Sequence, residues 1–117
     1  QYAHARIGSV FENALARKVH PSSDFLKLLD HPDEIDITSK LLQFPEVIMD
    51  SALSLSPHKI AFYLQNIASD FHVYYNKCRI IADSRELSGA RLFFVHCIKT
   101  VLSNGLRLLG VGAPERM

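Results

Sequence analysis

The sequence predicts an all-α fold, a helical bundle of three long and several short helices. Two observations carry this. Apolar residues return with a period near that of an α-helix along most of the chain, and no stretch alternates as a half-buried strand would. The breaks between periodic stretches hold helix punctuation: Pro21, Pro32, Pro45, Pro57 and Gly110. At 117 residues the chain is one domain's worth, long enough to bury a core without disulfide or metal staples.

The first long helix covers residues 2–19, with Ala3, Ile7, Val10, Phe11, Ala14 and Leu15 on its inward stripe. Ser9, Glu12, Asn13 and Arg17 take the opposite side. Pro21 and the serines after it end that helix and cap a short one carrying Phe25, Leu26, Leu28 and Leu29. Pro32 pushes His31 out of helical geometry. Asp33 and Glu34 then suit the positive end of a helix through Ile35, Leu41 and Leu42. That helix breaks or kinks before Pro45 and resumes through Val47, Ile48, Ala52 and Leu53.

"SPHK" is a start signal, with Ser56 as N-cap and Pro57 at the first helical position. Ile60, Ala61, Leu64, Ile67, Ala68, Phe71, Tyr74, Tyr75 and Cys78 then mark the inward arc of a second long helix. After the polar "ADSRELSG", a last helix starts near Glu86 to Ser88 and runs to about Leu109. Its predicted buried face is Leu87, Ala90, Phe94, Cys97, Val101 and Leu108, and Gly110 suits the C′ position. "RLFFVHCI" is no strand, because both flanks continue the helical period.

The net charge of +1 hides a gradient. Residues 1–19 carry three basic and one acidic side chain, residues 20–76 three against eight, and residues 77–117 seven against three. A fold that joins the two ends makes a basic face, the footprint of a phosphate-bearing partner. Scattered solvated charge is the competing account. Cys78 and Cys97 lack the CxxC spacing of a zinc site and make no disulfide framework, which points to packed thiols in a reduced, intracellular protein. No apolar run is long enough to span a bilayer. The chain opens on Gln1 inside a helical stretch, so it is expected to be a piece of a longer protein.

Catalytic signals are weak. No two of the six histidines stand three or four apart, the spacing a zinc site on one helix uses. There is no glycine-rich phosphate loop. His96 and Cys97 are adjacent, but neighbouring helical residues point about 100° apart and do not make a nucleophile–base pair. Two stretches suggest binding instead. "YAHAR" sets Tyr2 and Arg6 four apart, on one helix face. "FHVYYNKCR" ends the second long helix with Asn76, Lys77 and Arg79, which also complement the helix's negative end.

Several pieces together resemble the C-terminal anticodon-binding domain of arginyl-tRNA synthetase, the all-helical DALR type found in class I synthetases. They are "QYAHARI", "LLQFPEV", "PHKIAFYLQNIASDFHVYYNKCRI", "ARLFFVHCIKTVLSNGLRLLGV" and the terminal "APERM". They cover most of the chain in the family's order. Gly8, where the family more often has Cys or Ser, departs from the pattern and costs about 1 kcal/mol of helix propensity against Ala.

The resemblance implies a single domain over residues 1–117, a C-terminal fragment of a longer, cytoplasmic and monomeric enzyme. That parent would join arginine to its tRNA, using ATP with magnesium in a separate catalytic domain. This piece would bind no cofactor and no metal, would not touch a membrane, and would grip the anticodon stem-loop of arginine tRNA beside the synthetase's own catalytic domain. By the same resemblance Tyr2 and Arg6 contact anticodon bases or loop backbone, and Met117 folds back to join them. Asn76 and Lys77 match family positions as further loop or backbone contacts. The basic ends, residues 1–19 and 77–117, would hold phosphates without reading sequence, Arg79 and Arg116 among them. Sequence-specific RNA recognition stacks splayed bases on aromatic or guanidinium planes, which Tyr2 and Arg6 supply. The alternative is a structural or protein-interaction bundle with no RNA-binding role.

Overall fold

The computed structural model describes residues 2–110, and of Tyr2 and His4 the backbone alone. Helix α1 (Tyr2–Ala16) buries Ala3, Ile7, Val10 and Ala14, the expected stripe. Leu15, expected on that stripe, is 67 % exposed. It sits one position past Ala14, about 100° round the helix, beyond the reach of the neighbouring helices.

The helix stops before Pro21. Lys18 takes the left-handed conformation (φ 58°), its N–H donates to the Leu15 carbonyl, and the Val19 N–H donates to the Ala14 carbonyl at 2.9 Å. This is a Schellman ending with lysine where glycine is usual, and Val19 is buried beneath it.

The expected short helix after Pro21 is reduced to one 3₁₀ turn, Leu26–Leu28, with no side-chain cap. Ser22 does cap locally, accepting from the Asp24 N–H, but that turn does not propagate. Helix α2 (Pro32–Leu42) starts as expected. His31 is extended, its Nδ1 accepts from the Asp33 N–H at 3.0 Å, and Glu34 Oε1 accepts from the His31 N–H at 3.1 Å. This reciprocal capping satisfies two donors that the first turn leaves open. Ile35 and Leu42 are exposed, while Ile37 and Glu34 point inward. Gln43 separates α2 from α3 (Phe44–Leu53), which carries Pro45 in its first turn.

Helix α4 (His58–Lys77) begins without the expected Ser56 cap. The Ser56 hydroxyl donates back to the Ser54 carbonyl instead. It does so because α3 ends in a second Schellman turn, with Leu55 at φ 54° and the Ser56 N–H on the Ser51 carbonyl. From there α4 buries Ile60, Leu64, Ile67, Phe71 and Tyr74 as expected. Cys78 is already extended, one residue outside the helix.

Helix α5 (Arg85–Leu108) is capped by Ser84, whose Oγ accepts from the Leu87 N–H at 3.2 Å. Its buried face is rotated from the expected one. Ser88, Leu92, Val95, Ile98, Leu102 and Gly105 lie inside with Ala90 and Phe94. Leu87, Cys97 and Val101 lie at its margin, and Leu108 is 56 % exposed. "RLFFVHCI" is apolar nearly all round, so periodicity permits either rotation, and contact with α1 and α4 selects one.

Helix α4 lies centrally, against α1, α2, α3 and α5, and α1 packs on both long partners. At Gly105 α5 comes close to α4: a Cβ there would lie 2.5 Å from Leu64 Cδ2. Much of the central acidic charge is paired with lysine or arginine, mostly at the surface of the bundle. Lys40 bridges Asp36 and Asp70, Lys59 meets Asp50, Lys77 meets Asp33, and Arg91 meets Glu34. The hydrogen bond to Asp70 holds the Lys40 ammonium above the ordinary lysine range.

Candidate functional site

The fold joins the basic ends of the chain. Arg85, opening α5, donates to the Lys18 carbonyl at the end of α1 at 2.9 Å. Arg17, Lys18, Arg79 and Arg85 are all exposed.

The start of α1 lies against the second half of α4. Because α1 buries Ala3, Ile7 and Val10, Arg6 falls at the margin of the packed face, half-buried. Its guanidinium carbon stands 4.9 Å from the centroid of the Tyr75 ring. That distance is within cation–π range, worth about 0.5–1 kcal/mol at an exposed site. The Tyr75 ring is in turn tilted against Phe71, with centroids 6.0 Å apart.

Beside this pair opens a groove of 290 Å³, lined by Ala3, Arg6, Ala68, Ser69, His72 and Val73 among others. The small side chains of Ala3, Ala68 and Ser69 leave the space. Arg6 and His72 furnish its polar rim, and the 3.4 Å separation of Asn76 Nδ2 from His72 Nε2 links Asn76 to that rim.

Arg6 and Asn76 are thus brought to one edge. Tyr2 opens α1 one turn before Arg6, but its side chain, and Arg116 and Met117 entirely, lie outside the described residues. Lys77 is turned toward α2, its Nζ 3.3 Å from Asp33 Oδ2. The Arg79 side chain is exposed, and its carbonyl accepts from Arg91. Tyr75 and His72 were not singled out from the sequence as site residues. Tyr75 read as core, and His72 was one histidine of six; for His72 the four-residue offset from Asn76 was the available signal.

A buried polar cluster lies between α2, α4 and α5. Glu34, fully inaccessible, accepts from the Tyr74 hydroxyl and from Arg91 Nε at 2.9 Å. Burial first, and the bond to Glu34 second, push the Tyr74 phenol far above its ordinary range. Both Glu34 oxygens are satisfied, so the cluster works as a rivet between helices. Cys78 and Cys97 are free thiols, and burial pushes both upward, away from the reactive thiolate. Among the described residues no group of three or more His, Cys, Asp or Glu side chains could hold a metal ion. No helix there is long and apolar enough to cross a membrane.

A helical bundle that presents an arginine, aromatic and amide edge beside a groove has the form of a helical binding module. The family model of the DALR anticodon binding domain matches residues 1–117, and the chain belongs to that family. It is 51 % identical, over its whole length, to an arginine–tRNA ligase of Geobacter metallireducens. It is 46 % identical to that of Citrifermentans bemidjiense. The chain spans 21 % and 22 % of these two relatives. The solved arginyl-tRNA synthetase of Thermus thermophilus superposes on 99 % of the chain with a TM-score of 0.84 and 31 % identity, through 20 % of its own length. A putative arginyl-tRNA synthetase from Campylobacter jejuni superposes with a TM-score of 0.80 at 27 % identity, covering 99 % of this chain and 25 % of its own.

Proposed function

We propose that the chain is the anticodon-recognition domain of a cytoplasmic, monomeric arginine–tRNA ligase and grips the anticodon stem-loop of arginine tRNA. The carrying observation is the Arg6–Tyr75 pair at the lip of the groove near the start of α1. An unpaired base entering that groove would meet a guanidinium plane and the polar edge of His72, which suits stacking plus hydrogen bonding. Tyr2 and Met117 complete the site in this reading, with Asn76 at its rim. Lys77, held by Asp33, is the weakest member of the set.

Every arginine tRNA has C at the middle anticodon position, so a site reading that base serves all isoacceptors. Attachment of arginine, with ATP and magnesium, belongs in this reading to the catalytic domain. In this reading the chain itself holds neither, in keeping with described residues that offer no cluster of metal-ligating side chains and a sequence without a glycine-rich phosphate loop.

Fluorescence anisotropy with a labelled arginine anticodon stem-loop tests the proposal, against a control differing only at the middle anticodon base. Tighter binding to the arginine loop that persists at higher salt is expected. Equal affinity for both loops would overturn base reading. The protein-interaction alternative has its own observation, a 490 Å³ apolar groove lined by Leu26, Ile35, Leu42, Phe93 and Val101 among others. A partner held there would bind with little salt dependence, unlike RNA.

A further inference from the structure

We propose that a second groove, between α1 and the segment just past α4, takes backbone phosphates of the same RNA; this rests on the anticodon-binding function proposed for the chain. The groove has a volume of 310 Å³, and its walls include Ser9, Asn13, Arg17, Tyr75 and Arg79. Ser9 and Asn13 stand four residues apart on one face of α1, and Arg17, one residue past its end, continues the spacing with its N–H on the Asn13 carbonyl at 3.1 Å. Arg79 approaches from the opposite wall, two residues beyond the end of α4 at Lys77. No Asp or Glu lines it.

Its two guanidinium groups are available, unlike two other cations of the basic end. Lys77 and Arg91 are held by Asp33 and Glu34. Arg17 and Arg79 are exposed, and neither pairs with a carboxylate among the described residues. An exposed guanidinium fork matches a phosphate's oxygens in two-pronged fashion. The Asn13 amide adds neutral donors on the same wall. Ser9 contributes less, since its hydroxyl is directed back to the Ala5 carbonyl at 3.4 Å.

Position argues for polynucleotide rather than an isolated anion. Tyr75 lines this groove and also carries Arg6 on its ring. The two grooves are therefore neighbours along α1. From Arg6 to Arg17 the helix axis advances about 16 Å at 1.5 Å per residue, the length of roughly five nucleotides stacked at about 3.4 Å. A loop base held beside Arg6 would leave the adjoining strand running toward Arg17 and Arg79. One end of the track reads a base, and the other holds phosphates and positions the strand without reading sequence.

The test titrates Arg17→Gln, Arg79→Gln and the double variant of this chain with the arginine stem-loop and its middle-base control, across a series of salt concentrations. Both side chains are exposed, so circular dichroism melts should match the unsubstituted chain. Each single change is expected to weaken both RNAs alike, about tenfold at low salt for a charge-assisted contact. Each should also lower the slope of log affinity against log salt by about one. Unchanged affinity and slope in the double variant overturns the groove's role while leaving base reading intact. Loss confined to the arginine loop also overturns it, because the arginines would then read bases. Absence of binding by the unsubstituted chain to either RNA overturns the recognition proposal, and this one with it.

Discussion

Arg6 and Tyr75 hold the first helix to the fourth at the lip of a groove, guanidinium over ring at 4.9 Å. The ring fixes where the cation points, so Tyr75 is expected to act as a positioning residue for Arg6. Tyr75→Leu should weaken binding of the arginine stem-loop by two- to fivefold, the equivalent of about 0.5–1 kcal/mol. Tyr75→Phe keeps the ring face and should bind nearly as well as the unsubstituted chain. Equal losses in both variants would mean that the ring does not orient Arg6.

Glu34 is fully buried and shared between Tyr74 and Arg91. Removing Arg91 leaves a charge without its counter-ion in a low-dielectric site. Arg91→Ala should therefore destabilise the bundle by about 3–5 kcal/mol. The Glu34→Leu, Arg91→Leu double change should cost less than the sum of its single changes. Denaturant melts of all four proteins measure the coupling, and strict additivity would count against the rivet.

Gly105 lets α5 approach Leu64 of α4. Gly105→Ala gains helix propensity but drives a methyl into the buried Leu64 side chain, and overpacking of this kind costs about 1–3 kcal/mol. Leu64→Val, which withdraws the obstructing carbon, should recover part of the loss in the double variant. A Gly105→Ala protein as stable as the parent would show that Leu64 moves aside freely.

Leu55 ends α3 in the left-handed conformation at φ 54° while 88 % exposed. Its side chain gains little from burial, and the conformation costs an L-residue about 1–2 kcal/mol. Leu55→Gly is expected to stabilise the chain by about 0.5–1 kcal/mol, after glycine's larger entropy loss is subtracted. A lower melting temperature for Leu55→Gly would contradict strain at this turn.

Burial pushes the Tyr63 phenol up to about 12, and its hydroxyl donates to the Lys40 carbonyl at 2.6 Å. The unfolded phenol titrates near about 10. The folded state thus binds its proton more tightly, so this contribution is complete below pH about 10 and is lost as pH rises through about 12. Tyr74 is shifted in the same direction. Denaturation midpoints across that range should fall with pH, and Tyr63→Phe should flatten part of the fall. An unchanged slope in Tyr63→Phe would assign the pH dependence to other groups.

Local signals along the chain set the long helices and most of the breaks between them. Ile60, Leu64, Ile67, Phe71 and Tyr74 repeat on one face, and Pro32, Pro45 and Gly110 interrupt, so each signal is complete within a turn or two. The sequence also brought Arg6 and Asn76 forward as candidates.

Packing between helices settled the rest. It chose which side of "RLFFVHCI" faces inward, turned Lys77 to Asp33, and set Arg6 on Tyr75. It converted Glu34 from a first-turn charge into a buried partner of Arg91, 57 positions away. Periodicity fixes a stripe's spacing but leaves its rotation open when a helix is apolar most of the way round. A charge's role depends on the counter-charge that a distant segment brings. The helical repeat is a local property of the backbone, whereas choice of partner is settled only when α1, α2, α4 and α5 close on one core.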